Sequence, residues 1–236
     1  MELQRLLSLT RKAVDDYKQI NDGDRIAVGI SGGKDSLTLL YALAKLRRFY
    51  PHRFELCAIT VDLGFEDFDT APIADLCQEL DVPYTVVSTD IYRIVFKDRK
   101  ESSPCSLCAK MRKGALNETI AKMGCNKVAY GHHKDDTVET LLLSLIYEGR
   151  IHTFNPVTFL DRTGITVIRP LLYIEEADII GFANRMNLPV AAKTCPMDGH
   201  TKREYAKDLL RQLNRDNPGV MDRMFTAIER SGMWKP

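Results

Sequence analysis

The sequence predicts a doubly wound α/β fold on a mainly parallel, five-stranded sheet, with a helical C-terminal extension. Three observations carry that expectation. Short β-prone runs alternate with helix-period segments, each run ends in polar turn residues, and one run passes through a glycine-rich turn directly into an apolar helix.

Residues 2–20 have helical amphipathicity and predict a helix able to pack on the sheet, which makes 1–23 an N-terminal helical segment. The runs 25–30 (RIAVGI), 54–61 (FELCAITV), 83–87 (PYTVV) and 127–130 (KVAY) are rich in branched residues and read as buried parallel strands. Helix-period segments fall at about 36–49, 70–81, 107–123 and 135–149. A fifth strand at 166–168 precedes Arg169-Pro170-Leu171 and a helix at about 175–187, so residues 24–190 form the α/β domain. The capping-box string Thr201-Lys202-Arg203-Glu204 then opens two helical segments, and residues 191–236 are the extension.

The 236 residues are 44% hydrophobic and 28% charged, which excludes fibrous and disordered classes. A net charge of +1 means that any attraction to nucleic acid must come from local patches. The most continuous apolar stretch, 141–147, is far shorter than the roughly 20 residues a bilayer needs, and residues 1–5 lack signal-peptide organisation. The expectation is a cytoplasmic chain with no membrane partner.

The strongest local signal is Ser31-Gly32-Gly33-Lys34-Asp35-Ser36 between a strand and a helix. Two glycines let the backbone approach an anion, and the helix start presents unpaired N–H groups and the positive dipole end. Lys34 adds a point charge, and the Ser31 and Ser36 hydroxyls can donate to phosphate oxygens. The string is not a Walker A loop, which would need glycine where Val28 stands and Ser or Thr where Asp35 stands, so ordinary γ-phosphate hydrolysis is disfavoured. It resembles instead the pyrophosphate-binding loop of the N-type ATP pyrophosphatases, which cleave ATP between the α and β phosphates and leave AMP on an acceptor.

A second segment, Gly131-His132-His133-Lys134-Asp135-Asp136, also follows a strand and precedes a helix. If its strand neighbours the first one at the point where sheet order reverses, it faces the phosphate loop across one crevice. Asp135 and Asp136 could then hold Mg²⁺ through oxygen ligands and water, or merely favour the helix N-terminus. Consecutive His132 and His133 diverge, which argues against a two-histidine metal site. Asp62 ends the second strand on the same side and is the acid expected near a nucleotide. The other six acids of 61–81 read as a solvated face.

Of six cysteines, Cys57, Cys77 and Cys125 lie in apolar or helical contexts and read as buried small hydrophobes. Cys105 and Cys108 form a C-x-x-C at a helix start, with Pro104-Cys105 in the loop before it, and Cys195 stands beside Pro196. Three thiolates, if they converge, suit zinc with water in the fourth position, a redox pair, or a 4Fe–4S cluster with one unligated iron; thiol softness does not separate zinc from iron. Residues 97–113 carry a net +4 and residues 201–215 a net +3, so Lys110, Arg112, Lys113, Lys202 and Arg203 are candidate phosphate-backbone contacts, although an ordinary solvated helix face explains either patch alone.

Taken in order, S-G-G-K-D-S, Cys105-Ser106-Leu107-Cys108 with Arg112-Lys113-Gly114, G-H-H-K-D-D, Arg169-Pro170-Leu171 and the late Cys195 resemble the tRNA 2-thiocytidine synthetase family over roughly 20–230. The resemblance implies an adenine nucleotide alpha hydrolase-like fold at 24–190 and a 4Fe–4S cluster on Cys105, Cys108 and Cys195. It implies ATP and Mg²⁺ in a crevice lined by Ser31, Gly32, Gly33, Lys34, Asp35, Ser36, Asp62, Gly131 and His132, with Lys34, Asp35 and Asp136 as catalytic residues. The implied substrate is the cytidine at position 32 of a tRNA anticodon loop, with sulfur from a cysteine desulfurase or free sulfide, and a homodimer is the implied assembly. Some members carry a further C-x-x-C near the late cysteine, where this chain reads Thr194-Cys195-Pro196-Met197-Asp198. A thiouridine synthetase, a lysidine synthetase-like ligase and a non-catalytic zinc RNA-binding module are the alternatives. The ligase would leave three cysteines without a task, and the module would leave the phosphate loop idle.

Overall fold

The computed structural model describes residues 1–65, 68–99, 104–191 and 202–234. Its elements are α1 (Leu3–Asp16), β1 (Asp24–Ile30), α2 (Lys34–Leu46), β2 (Phe54–Asp62), α3 (Ala71–Glu79), β3 (Tyr84–Ser88), α4 (Pro104–Lys122), β4 (Lys127–Ala129), α5 (Lys134–Leu143), β5 (Val157–Leu160), β6 (Ile165–Ile168), α6 (Glu176–Arg185), α7 (Lys202–Asp216) and α8 (Val220–Arg230). Single π-helical turns, Arg93–Asp98 and Ser144–Glu148, precede α4 and extend α5.

Branched residues that bury both faces form the central strands. β1 shows buried or half-buried residues at every position but Arg25, and β2 at every position but Glu55, as expected of a sheet covered on both sides. The order is β3-β2-β1-β4-β6-β5. β1 pairs in parallel with β2 on one side and β4 on the other, so the chain reverses its direction of travel across the sheet between β1 and β4. The expected five parallel strands are present, but the sheet has six: β5 is antiparallel to β6 and forms an edge, with Val157 opposite Ile168. Its four residues are half-buried or exposed, so no buried run announces it in the sequence.

One sheet face packs on α1, α2, α3 and α6 through Leu6, Leu37, Leu40, Ile73 and Phe182. α2 is apolar nearly all round and is sandwiched between the sheet and α1 and α6. The other face packs on α4 through Leu116 and Ile120. A third cluster gathers Ala13, Val138, Leu172, Leu210, Phe225 and Trp234, fastening α7 and α8 to α1 and α5. Cys57, Cys77 and Cys125 are buried, as their contexts suggest. No helix among the described residues is long and apolar enough to cross a membrane.

Beneath the sheet edge a polar knot joins distant segments. Lys127 and Asp24, both buried, pair at 2.7 Å, and the Lys127 ammonium also donates to the Gln19 carbonyl at 2.8 Å. The Gln19 side-chain amide accepts from the Arg169 N–H at 2.9 Å and donates to the Arg169 carbonyl at 3.3 Å. The backbone of the residue that follows β6 is thereby held at both its polar groups.

Candidate active site

β1 feeds the phosphate loop and β4 feeds the segment opposite it, and their adjacency places both at the C-terminal edge of the sheet where its order reverses. Gly32 takes a φ of +79°, and its carbonyl accepts from the Ala191 N–H at 2.9 Å. Gly33 caps α2, so the first N–H groups of α2 face the space above the sheet. Inside the loop the Ser36 hydroxyl donates to the Gly33 carbonyl at 2.9 Å and accepts from the Ser31 N–H at 3.1 Å, which closes the turn. The two serine oxygens lie 3.2 Å apart.

Gly131 shows how closely the segments meet. A Cβ there would lie 2.8 Å from the carbonyl carbon and oxygen of Asp35. Only a residue without a side chain lets β4 end against the first turn of α2.

The acids of the second segment divide. Asp135 accepts from the Glu176 N–H at 2.8 Å, which ties it to the start of α6. The Asp136 carboxylate accepts from the His133 N–H at 3.0 Å, capping α5, and lines the cavity. The buried His133 ring stands between Asp136 (3.4 Å) and Asp35 (3.8 Å). Burial opposes its charge, but the hydrogen bond to Asp135 and the charges of Asp136 and Asp35 outweigh burial, and its pKa is raised. Asp35 Oδ1 is buried with no hydrogen-bond donor.

Lys34 turns its ammonium toward Glu176 (2.9 Å) and Asp35 (3.1 Å), and Lys207 of α7 meets the same Glu176 oxygen at 3.1 Å. Burial pushes the Glu176 carboxyl up, yet the two lysines hold it down at about 2. One helical turn along α5 from Asp136, Glu139 is 2% exposed with Oε2 lacking a hydrogen-bond donor. Its nearest cations, Arg203 at 3.6 Å and Lys207 at 3.8 Å, are too distant to offset burial, which raises its pKa to about 7.

α4 starts at Pro104, earlier than its periodicity indicates, so Cys105 lies in its first turn and not in the loop before it, and Cys108 follows at the start of the second. At i and i+3 they share one helix face, about 5–6 Å apart at Cβ. A cavity of about 840 Å³ runs from the phosphate loop to these cysteines. Its lining includes Ser31, Asp35, Ser36, Cys105, Cys108, Arg112, Lys113, Gly131, His132, Asp136, Arg169 and Arg203, with an apolar wall from Ile59, Val61, Phe65, Phe96, Leu116 and Tyr130. Four bases against two acids make that lining net positive.

The remaining candidates lie as follows. Asp62 spends one carboxylate oxygen on the Gly64 N–H at 2.9 Å, turning its own loop, and is not in the cavity lining. Lys110 and Lys202 are exposed, the latter over the Tyr147 ring at 4.4 Å. Cys195 lies outside the described residues. Arg169, His133, Glu139, Glu176 and Lys207 were given no role by sequence reasoning; the signals were the R-P-L string for the first and, for Glu139, its i+3 spacing from Asp136.

Comparisons with known proteins agree with this geometry. The PP-loop domain family matches residues 5–212. The tRNA-cytidine(32) 2-sulfurtransferase of Geobacter sulfurreducens is 42% identical over 228 residues, covering 95% of this chain and 89% of that one. The enzyme of the same name from Geobacter metallireducens is 42% identical over 220 residues, covering 92% and 86%.

The chain belongs to the tRNA-cytidine(32) 2-sulfurtransferase family.

The structure of the U34-tRNA thiolase NcsA from Methanococcus maripaludis with its 4Fe–4S cluster superposes with a TM-score of 0.76 at 25% identity, covering 94% of this chain and 77% of that one. NMN synthetase from Francisella tularensis, 12% identical with a TM-score of 0.56, shares the fold alone. Within the tRNA-cytidine(32) 2-sulfurtransferase family, this chain carries the phosphate loop and the C-x-x-C on one cavity.

Proposed function

We propose that this chain replaces the C2 oxygen of an anticodon-loop cytidine, at position 32 of tRNA, by sulfur, using ATP to activate the oxygen and a 4Fe–4S cluster to carry the sulfur. The observation that carries the reading is the shared cavity: the phosphate loop opens at one end and Cys105 and Cys108 at the other.

Each part follows from the chemistry. The C2 oxygen of cytosine is a poor leaving group; transfer of AMP to it makes a good one, and pyrophosphate departs. The N–H groups at the start of α2 and the Ser31 hydroxyl are placed to hold that pyrophosphate, while the Ser36 hydroxyl braces the turn through the Gly33 carbonyl. Lys34 neutralises its charge after leaving Glu176, which keeps Lys207 as a partner. Asp35 Oδ1, which accepts no hydrogen bond but has the Lys34 ammonium 3.1 Å away, and Asp136 across His133 are the hard oxygen donors that would hold Mg²⁺ once Lys34 turns to the phosphates. Arg112, Lys113 and Arg203, all on the lining, would contact the tRNA backbone, and the apolar wall would receive the unstacked base.

Cys105 and Cys108 are soft donors on one helix face, the first exposed and the second half-buried, which fits an iron–sulfur cluster; Cys195 would be the third ligand. When bound, the cluster would supply sulfur at the sulfide level to take the place of AMP at C2, drawn either from free sulfide without electron change or from the persulfide of a cysteine desulfurase with two electrons from a thiol reductant.

Anaerobic purification tests the assignment. Brown protein with iron and acid-labile sulfide, converting cytidine to 2-thiocytidine in tRNA with release of AMP and pyrophosphate, supports it. Cys105→Ala and Cys108→Ala should each lose iron and thiolation while keeping the fold. Colourless zinc protein without thiolation would favour an RNA-binding module, and a metal-free active ligase would favour lysidine-type chemistry.

A further inference from the structure

Among the described residues two Lys or Arg side chains are buried, and they differ in their company. Lys127 has Asp24 at 2.7 Å. Arg169 is 8% exposed, and among the described residues no carboxylate lies within ion-pair distance of it. Its guanidinium donates through Nε to His132 Nδ1 at 3.1 Å and through Nη1 to the Asn155 carbonyl and to Thr158 Oγ1 at 3.3 Å. It lies over the Phe154 ring, 4.8 Å from the centroid, and the same ring stacks on His132. Every one of these partners is neutral, since His132 is held well below its usual pKa, at about 4, first by burial and then by Arg169 itself.

A buried guanidinium with neutral partners has its hydrogen bonds but not its counter-charge. A polar residue could brace Asn155 and Thr158 without that cost, so among the described residues the positive charge has no structural partner that requires it. It is also pre-positioned: Gln19 fixes both backbone groups of Arg169, while His132, Asn155 and Thr158 fix the side chain. The residue lines the same cavity as the phosphate loop and the C-x-x-C.

From this placement we infer that Arg169, oriented by His132, is a second anion site in the cavity that binds a phosphoryl group distinct from the one held by the phosphate loop. Arg169 follows β6 while the loop follows β1, with β4 between them, a separation of about 10 Å at strand spacing. The loop takes the departing pyrophosphate, and Arg169 takes a phosphate that stays behind. Two sources share that chemistry: the AMP phosphoryl carried on the activated base, and a phosphodiester of the tRNA flanking that base. The inference rests on the function proposed above.

The test is equilibrium binding of three probes, pyrophosphate, AMP and an unmodified tRNA transcript, to the full chain and to Arg169→Gln and Arg169→Lys. A tenfold or greater loss for AMP in Arg169→Gln, with pyrophosphate affinity within twofold of the original, supports the site and assigns it to the nucleotide. The same loss for tRNA alone supports it and assigns it to the RNA backbone. Arg169→Lys keeps the charge but not the fork, and a loss of threefold or more on the same probe is expected. Unchanged AMP and tRNA affinities in a folded Arg169→Gln chain overturn the inference. Should that variant fail to fold, the arginine Nε nitrogen resonance of the original chain decides: a shift on adding AMP or tRNA supports the site, and none overturns it. An original chain that binds pyrophosphate and ATP, with AMP and tRNA affinities unchanged in Arg169→Gln, refutes this inference alone, whereas an original chain that binds none of the probes nor ATP refutes the proposed function beneath it.

Discussion

Replacing Gly131 by Ala probes the tightest glycine position among the described residues. The glycine is not in the left-handed region, so the substitution meets no backbone penalty and its effect is steric. The new methyl would stand 2.8 Å from the Asp35 carbonyl carbon and oxygen and 3.1 Å from the Ser36 nitrogen, all main-chain atoms unable to rotate away. Relief requires the first turn of α2 to move off β4 by several tenths of an ångström. Overpacking of this kind costs about 1–3 kcal/mol, which for a chain of this size lowers the melting temperature by roughly 2–12 °C. The same movement misdirects the N–H donors of the phosphate loop; losing one charge-assisted hydrogen bond, about 1.5 kcal/mol or more, weakens pyrophosphate binding at least tenfold. Calorimetric titration with pyrophosphate and a thermal melt read both quantities. Gly114→Ala is the control, because its Cβ meets nothing within 4 Å in the middle of α4 and should add about 0.5–1 kcal/mol. A Gly131→Ala chain that melts and binds pyrophosphate like the original would refute the argument that this glycine sets the width of the crevice.

Two carboxylates give opposite pH signatures. Glu139, raised from 4.5 to about 7 chiefly by burial, keeps its proton in the folded chain after the unfolded chain has lost it, so it subtracts stability as pH rises from 4.5 to 7. Glu139→Gln should therefore gain on the original across that range and run parallel above it, as urea midpoints would show; a constant offset from pH 4.5 to 8 contradicts the reasoning. Glu176, held at about 2 by Lys34 and Lys207 against the effect of burial, contributes stability that is fully present above 4.5 and fades as pH falls toward 2. The advantage of the original chain over Glu176→Gln should shrink over that window, and its persistence at pH 2 would show that the ion pairs are not its source.

Much of the crevice was legible because strand and turn chemistry are local. The branched runs placed β1, β2 and β4 within a residue or two, and glycine with hydroxyl and amine side chains at 31–36 marked an anion cradle before any neighbour was known. What escaped depends on partners far along the chain. β5 is four residues long without a buried face, and it exists through its pairing with β6. Pro104 and the cysteines lack amphipathic spacing, so the start of α4 was placed too late. The engagement of Asp135 with the N–H of Glu176, 41 residues away, and the absence of a described carboxylate beside Arg169 both depend on which distant groups meet. Sequence shows which groups are present; it does not show which of them find one another.

The reversed strand β5 has a consequence of direction. A parallel strand brings its last residues to the edge where the cavity opens, but an antiparallel one brings its first, and so Asn155 and Thr158, at the entry to β5, stand beside Arg169. The tight bend between β5 and β6 is delivered to the opposite rim, where Gly164 has open space around it. A reporter dye or affinity handle grafted at Gly164 would therefore have room, at the far end of the hairpin from the Asn155–Arg169 contact.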